Sequence, residues 1–266
     1  MVGMSIFISN VLLSQVRISM GIGRTLVKLR QKGAYYYLYF GWQWAPFQKF
    51  LYKRRRPSVF LFGGKRIPYL YANYNRTWMN ERAIEIPVIR DFVEQEKGEI
   101  LEVGNVLSHY FPVNHDIVDK YERAKNVINE DIETYASSHK YALIISISTL
   151  EHVGFDEAIP DDDKIVRVFE HLKSMLTPTG KIVATLPIGY NPSISRLIKD
   201  KTLTFSDVYS FKRVTRGNLW RETSFDEACD TPYGQRYPGS GAFVIGIYDA
   251  RAIGASIRSE LNRRNC

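Results

Sequence analysis

Short apolar runs that alternate with mixed segments constrain the fold of this 266-residue chain more than any other feature. The run KYALIISIST (140–149) is apolar and β-branched at its centre, which is typical of a central parallel strand. An apolar stripe at helical spacing follows it over 161–176. Alternating strands and helices with a late hairpin predict an open α/β sheet with helices on both faces. The remaining strands are predicted at 98–104, 115–121, 126–132, 180–187, 209–215, 218–224 and 241–249, with Gly217-Asn218 as a hairpin turn.

Charge divides the chain into two predicted parts. Residues 1–80 contain 13 Lys and Arg and no Asp or Glu, whereas the rest of the chain carries 23 basic and 28 acidic residues. This asymmetry predicts a basic, aromatic-rich N-terminal extension over 1–80 and an α/β domain over 81–266. It argues against a uniformly basic nucleic-acid binder, so nucleic acid is an unfavoured partner.

The extension contains an aromatic run, with ten aromatic residues between Tyr35 and Tyr52, followed by the basic residues 53–56. Three interpretations stay open: packing on the domain, contact with an anionic membrane surface through residues 1–66, and stacking on single-stranded nucleic acid, which ranks third. Polar side chains interrupt residues 5–30 too often for a membrane span, which needs about 20 mostly apolar residues, and the segment lacks the features of a signal peptide. The expected location is the cytoplasm, with a peripheral position at the membrane as a further option.

The cysteine and histidine content limits metal chemistry. The two cysteines, Cys229 and Cys266, are too few for a disulfide framework or a thiolate metal site, and they fit a reducing compartment. No pair of His, Cys or acidic residues has a spacing that favours a metal site. The sequence does not predict the oligomeric state.

Acidic residues follow several predicted strands, at the edge where ligands of open α/β sheets bind. Glu102 and Gly104 end the first of these strands, Asp119 ends the second and Asp131 follows the third. Gly104 permits a tight turn and close approach of a ligand, and Asp119 is placed to accept hydrogen bonds from ribose hydroxyls. The alternative for each acid is a cap on the next helix. With residues 148–152 after the fourth strand, the ordered series predicts one cleft.

Residues 98–250 resemble the class I S-adenosylmethionine-dependent methyltransferases of the small-molecule type. The resemblance rests on ILEVG, VDKYE, NEDIE, YALIISISTLEHVG and LKSMLTPTGKIVATLP, of which the last two are the most specific. It implies S-adenosylmethionine as the cofactor. It also implies a Rossmann-like open sheet of seven strands, mostly parallel, with a C-terminal antiparallel hairpin.

The resemblance further implies roles for individual residues. Glu151 and His152 would lie near the methyl group and the acceptor. His152 is the candidate general base, because the unperturbed pKa of histidine lies near ~6.5; the alternative is a packed or capping residue. His109 is a second candidate. The implied cofactor contacts are Glu102, Gly104 and Asn105 at the methionine part, Asp119 at the ribose, Asp131 and Ile132 at the adenine, and Ser148, Thr149 and Leu150 on the cleft floor.

The turn after the first of these strands departs from the family pattern. The family has a glycine-rich G-x-G-x-G turn, whereas only Gly104 is present here, and the short connection that follows contains Pro112. The alternative function is therefore a non-catalytic binding protein with a degenerate methyltransferase fold. A nicotinamide-dependent sugar enzyme ranks last, because GNVLSH lacks the pattern G-x-G-x-x-G.

Absent motifs narrow the acceptor class. The Asn/Asp-Pro-Pro-aromatic motif of amino-directed nucleic-acid enzymes is missing after the fourth strand, and no cysteine lies near that strand. A small-molecule, glycan or lipid-linked acceptor is therefore expected. Residues 73–87 have two interpretations. They form either a lid with Tyr74, Arg76 and Trp78, or, slightly favoured, an ordinary helix start with Asn80 as cap and Ala83, Ile84 and Ile86 packed inward.

Overall fold

The computed structural model describes residues 57–215, 217–234 and 239–254. The predictions for residues 5–30 and 35–56 lie outside these ranges, as does Cys266. No helix in the described ranges is long and apolar enough to cross a membrane.

The described residues form two sheets and the helices that cover them. The strands are β1 (Val59–Phe62), β2 (Lys65–Pro68), β3 (Ile100–Val103), β4 (Asp116–Val118), β5 (Tyr141–Ile147), β6 (Leu176–Pro187), β7 (Asp207–Arg213), β8 (Trp220–Thr223) and β9 (Ala242–Asp249). The helices are α1 (Arg82–Gln95), α2 (Lys164–Ser174), α3 (Ser193–Lys199) and α4 (Phe225–Cys229), with short 3-10 helices at Tyr74–Met79, Leu107–His109 and Leu150–His152.

Strands β3 to β9 make one seven-stranded sheet in the order β4-β3-β5-β6-β9-β7-β8. β3 pairs in parallel with β4 and β5, and β5 pairs in parallel with β6. β9 lies antiparallel between β6 and β7, and β8 forms an antiparallel hairpin with β7. The predicted Rossmann-like sheet is therefore confirmed. The chain passes from β3 to β4 on one side and then to β5 on the other, which creates a switch point between β3 and β5.

The strand predicted at 126–132 is wrong. Only Ile128 pairs with the sheet, through an isolated parallel bridge to Val118. Asn126 has a positive φ of 66°, and the side chain of Asp131 accepts the backbone N–H of Glu133. Both features turn the chain, so the segment cannot extend along β4 beyond one residue.

Helix α1 packs an apolar face against the sheet. Ala83, Ile84 and Ile86 are fully buried, which confirms their predicted inward packing. They share a hydrophobic cluster with Phe60 and Ile67 of the β1–β2 hairpin. Residues 57–80 thus contribute apolar side chains to the core of the described domain, while the boundary at residue 80 stays a prediction.

A proline inside α1 helps to hold this arrangement. Pro87 has no N–H to donate to the carbonyl of Ala83, and that carbonyl accepts the backbone N–H of Leu70 at 2.9 Å. This hydrogen bond ties the segment after β2 to the first turns of α1. On the opposite face of the sheet, α2 and α3 bury a second apolar cluster that includes Ile165, Val168, Phe169, Leu172, Ile194 and Leu197, so helices cover both faces.

Candidate functional site

A cavity of about 280 Å³ opens at the carboxyl ends of β3, β4 and β5, beside the switch point. Among the predicted site residues, Gly104, Asp119, Asp131, Ile132 and His152 line it, and Thr149 lines it from the end of β5. The other predicted residues, Glu102, Asn105, Ser148, Leu150 and Glu151, lie behind or beside this wall. Five of the ten predicted site residues thus line the cavity, and the roles of all ten stay predictions.

The turn after β3 requires Gly104. Its φ is +84°, and a Cβ atom there would lie 2.3 Å from Oγ1 of Thr149. Only glycine tolerates both the conformation and the close approach. The backbone N–H of Gly104 donates to the carbonyl of Val118 at 2.8 Å, which joins the turn to β4.

Glu102 holds the backbone of this turn through hydrogen bonds. One of its carboxylate oxygens, Oε1, accepts the backbone N–H groups of Val106 and Leu107, both at 2.8 Å. Its other oxygen, Oε2, lies 2.8 Å from Nε2 of the buried His115. Because the chain itself occupies both oxygens of a fully buried side chain, Glu102 stabilises the turn in place of the missing glycines.

Asp119 stands on the cavity wall as an anion. Its carboxylate accepts the backbone N–H groups of Asn105 at 3.0 Å, Tyr121 at 2.8 Å and Glu122 at 2.7 Å. Partial burial raises its pKa, but these hydrogen bonds outweigh burial and hold the pKa of Asp119 below its usual range. A carboxylate has about four acceptor positions, so Asp119 retains capacity for a ligand hydroxyl.

Asp131 is neutralised by two lysines. Its Oδ2 lies 2.8 Å from Nζ of Lys120 and 2.7 Å from Nζ of the buried Lys164. Glu157 bridges the same two lysines, at 3.2 Å and 2.8 Å. Burial raises the pKa of Asp131, but the lysines outweigh it and lower that pKa to about 2. Of the two residues predicted at the adenine, Ile132 presents an apolar wall, and Asp131 already has two cationic partners.

The side chains that follow β5 point in different directions, some toward helix α1 and one toward the cavity. Ser148 has a positive φ of 42°, and its hydroxyl donates to Oε1 of Glu85 at 2.6 Å. Leu150 is buried in the core. Thr149 is thus the residue of this segment that faces the cavity beside Gly104.

His152 lies at the cavity wall with one ring nitrogen fixed. Its Nδ1 is 2.5 Å from Oδ2 of Asp156, and the hydroxyl of Tyr190 donates to the same oxygen at 2.5 Å. Burial raises the pKa of Asp156, but the contacts with Tyr190 and His152 outweigh it and lower that pKa. An anionic Asp156 favours the tautomer that carries its proton on Nδ1, so Nε2 of His152 is left as the basic nitrogen.

A group of buried ionisable residues adjoins this wall, and sequence reasoning missed most of it. Arg82 donates to the carbonyl of Ile147 at 2.9 Å and to Oε2 of Glu85 at 3.3 Å. Burial, reinforced by Glu85, raises the pKa of Glu81 to about 7. Burial also raises the pKa of Glu151 well above its usual range. The signal in the sequence was Glu85, an acid between two isoleucines on the inward face of a predicted helix.

The second candidate base and the candidate lid contact each other. The ring of Tyr74 stacks on His109 with centroids 4.5 Å apart and meets Tyr110 edge-on at 5.4 Å. Nε2 of His109 lies 3.2 Å from Glu122. These contacts cover Tyr110 from outside, and His109 is not among the residues that line the cavity.

No family model matches the chain. One curated relative, the Arabidopsis thaliana protein described as "Probable mitochondrial-processing peptidase subunit beta, mitochondrial", is 28% identical over 120 residues, which are 42% of this chain. The chain spans about a fifth of that relative, since the match covers 22% of its length.

The solved structures to which this chain shows some similarity include methyltransferases. The N-methyltransferase NodS from Bradyrhizobium japonicum WM9 is 12% identical, with a TM-score of 0.41, over 64% of this chain and 95% of that chain. NodS in complex with S-adenosyl-L-homocysteine is 11% identical, with a TM-score of 0.38, over 67% and 97%. A SAM-dependent methyltransferase from Archaeoglobus fulgidus is 16% identical, with a TM-score of 0.41, over 66% and 97%.

The strand order places β3 at the centre of the parallel half and β9 antiparallel between β6 and β7. This is the mixed seven-stranded sheet that the motifs imply, with the motif residues at its carboxyl edge. The described residues therefore have a Rossmann-like mixed seven-stranded sheet, with a single-glycine turn after β3.

Proposed function

We propose that this protein transfers the methyl group of S-adenosylmethionine to a small-molecule, glycan or lipid-linked acceptor. The observation that carries the proposal is the cavity at the switch point, with the anionic Asp119 on its wall and Gly104 at its base. Ligands of open α/β sheets bind at this position.

The residues present fit the cofactor. Gly104 leaves room where a side chain would collide, Asp119 has capacity to accept a hydrogen bond from a ribose hydroxyl, and Ile132 offers an apolar wall for the adenine. Asp131 is the exception, because Lys120 and Lys164 already neutralise it. The cavity of about 280 Å³ lies near the lower end of the range for small-molecule sites, about 300–1,000 Å³.

The chain's own side chains supply orientation and proton transfer. When bound, S-adenosylmethionine supplies an electrophilic methyl group. The protein aligns acceptor and donor, which accounts for much of the rate of such reactions. His152, held through Nδ1 by Asp156, presents Nε2 to take a proton from the acceptor. Asp156 and Tyr190 act as positioning residues for that imidazole.

The location of the reaction is a further part of the proposal. The 13 basic and no acidic residues of the first 80 support contact with an anionic membrane surface, where each basic residue contributes about 1 kcal/mol. Sedimentation with vesicles of anionic and of neutral phospholipid tests it. Equal binding of the full chain to both vesicle types would contradict a peripheral membrane position.

The cofactor is tested by calorimetry. S-adenosylmethionine and S-adenosylhomocysteine are titrated into the full chain, with NAD as the control ligand. We expect micromolar binding of both adenosyl ligands and none of NAD. Asp119→Ala removes the ribose acceptor and should abolish binding, whereas Asp207→Ala, at an exposed acid on β7, should leave it unchanged.

A non-catalytic binding protein is the alternative, favoured by Glu102 taking the backbone N–H groups of the turn. The same titration separates the two functions. Absence of binding by the unmodified chain would select the alternative and reject the methyltransferase.

A further inference from the structure

Among the described residues, carboxyl groups outnumber cations where α1 begins and β5 ends. Glu81 precedes α1, Glu85 lies in its first turn, and Glu151 follows β5. Arg82 interacts with all three, and Arg213 adds a second positive charge near Glu81. Within the part of the chain that the structure describes, three acids thus face two guanidinium groups. We call Glu81, Arg82, Glu85, Tyr110 and Glu151 the acidic site.

Carboxyl oxygens without partners point to a missing ligand there. Glu151 is 1% exposed, yet its Oε2 has no hydrogen-bond partner among the described residues. The buried Oε2 of Glu81 also has none within the described ranges. Buried polar atoms in native proteins almost always have partners. Two unpartnered oxygens in one acidic site are what a ligand with several N–H donors and a positive charge would satisfy.

The acidic site adjoins the cavity. Oε1 of Glu151 lies 3.6 Å from Nε2 of His152, which lines the cavity wall. Asp119 and Ile132 lie on the β4 side of the central strand β3, whereas Glu151 lies beyond it at the end of β5. A ligand held by Asp119 therefore leaves the acidic site free for a second molecule.

The adjoining rings suit an organic cation. The ring of Tyr190 packs edge-on with His152, Phe155 and Tyr233, at centroid distances of 4.7, 5.7 and 5.3 Å. Tyr190 also interacts with Glu151. Aromatic rings beside carboxylates bind alkylammonium groups well. No group of three or more His, Cys, Asp and Glu in the described ranges has the geometry to hold a metal ion.

We propose that the methyl acceptor is an amine and that the acidic site binds its ammonium group. For transfer, the ammonium loses one proton to Nε2 of His152, which lies 3.6 Å from Oε1 of Glu151. The freed nitrogen lone pair then forms the N–CH3 bond as the S–CH3 bond of the donor breaks, so that S-adenosylhomocysteine leaves and the product is the N-methylated ammonium ion. The proposal rests on the function proposed above and names the acceptor class for it. It assigns the unpartnered oxygens of Glu151 and Glu81 to the N–H groups of the acceptor.

The test uses benzylammonium as the probe and benzyl alcohol as its neutral counterpart. Both are titrated by calorimetry into the full chain, with and without saturating S-adenosylhomocysteine. We expect the ammonium to bind at least about tenfold more tightly than the alcohol, because a charged hydrogen bond in a desolvated site is strong. Equal affinity for the two probes, or no binding of either, would overturn the proposal.

Matched variants localise the probe. Glu151→Gln keeps the shape of the side chain and removes the carboxyl group that can become the counter-ion of a bound ammonium, and should weaken benzylammonium binding about tenfold or more. Glu94→Gln makes the same change at an exposed position on α1 and should have no effect. Glu81→Gln is the second variant of the site. Circular dichroism of each variant confirms that it is folded before titration.

The affinity for S-adenosylhomocysteine separates this proposal from the proposed function. We expect it to be unchanged in Glu151→Gln. A marked loss would assign the acidic site to the amino group of the methyl donor and overturn the amine-acceptor proposal. If the unmodified chain binds benzylammonium but not S-adenosylhomocysteine, the methyltransferase function fails while the ammonium site stands.

Discussion

The two sides of the candidate site use the same residue types in opposite ways. On the β4 side, Asp131 and Glu157 are matched by Lys120 and Lys164. On the β5 side, the acidic site holds more carboxyl groups than cations and leaves buried oxygens of Glu151 and Glu81 without partners in the described ranges. Matched acids stabilise the fold, whereas unmatched acids lower its stability until a ligand compensates them. The comparison separates structural acids from those available for binding.

The largest expected effect on stability comes from removing a lysine on the β4 side, where cations match the acids. Lys164→Met should lower the free energy of unfolding by about 3 kcal/mol, because it leaves two carboxylates around a 7%-exposed site with only Lys120. Urea unfolding measures the loss. Lys65→Met removes an exposed partner of Asp91 and should change stability by less than about 1 kcal/mol. Similar losses in the two variants would mean that the lysine–carboxylate network is no more than a surface contact.

The second-largest expected effect is a loss of stability at low pH, through Asp131 on the β4 side. The pKa of Asp131 is lowered to about 2 in the folded protein, against about 3.9 in an unfolded chain. Its contribution is therefore complete above pH ~3.9 and is lost as the pH falls toward 2, by about 2 kcal/mol. The unfolding free energy between pH 5 and 2.5 should fall less in Asp131→Asn than in the unmodified protein. Parallel pH profiles would contradict this.

On the β5 side, where the acids are unmatched, stability should change with pH in the opposite direction and by a smaller amount. The pKa of Glu81 is raised from 4.5 to about 7, so the folded protein binds this proton more tightly than the unfolded chain does. Stability is then lost as the pH rises from about 4.5 through 7. Glu81→Gln should raise the unfolding free energy by about 1.5 kcal/mol at pH 8, and by far less at pH 5. A destabilised variant at pH 8 would show that Glu81 is matched after all.

The smallest expected effect concerns a single hydroxyl. Tyr110→Phe removes a hydroxyl that contacts the side chain of Asn75 and should change the unfolding free energy by less than about 0.5 kcal/mol. Tyr141→Phe removes a hydroxyl that donates to Asp116 at 2.8 Å and lies 3.0 Å from the hydroxyl of Tyr135, and should cost about 1 kcal/mol. Thermal unfolding of both variants measures the difference. A loss above 1 kcal/mol in Tyr110→Phe would show that its contact with Asn75 stabilises the fold as much as the hydrogen bonds of Tyr141 do.

Sequence reasoning predicted the elements with strong periodicity and missed the weak one. The run at 140–149 became β5, and the stripe at 161–176 became α2, because buried apolar side chains repeat at the spacing of their element. The segment 126–132 carries acids and asparagines that bind their own backbone, and only Ile128 reaches the sheet. Local side-chain hydrogen bonds outweighed its few apolar residues.

The candidate site was predictable to the level of strand ends and no further. Gly104 and Asp119 line the cavity because both directly follow buried strands. Ser148 also directly follows a buried strand, and Glu102 lies in β3 itself, yet their side chains bind Glu85 of α1 and the turn after β3. Which face a residue takes at the end of a strand depends on the turn conformation, such as the positive φ of Ser148, and no spacing rule reports it.

The residue pattern alone predicted the alternating strands and helices, the sheet edge that carries the acids and the importance of Gly104. Which acids are matched by cations depends on folding. Lys164 meets Asp131 from 33 residues away, and Arg82 donates to the carbonyl of Ile147 across 65 residues. The charge state of a buried carboxyl group depends on the neighbours that folding brings to it. The spacing of apolar residues can be read from neighbouring positions in the sequence. The compensation of a buried charge depends on contacts that form only in the folded chain.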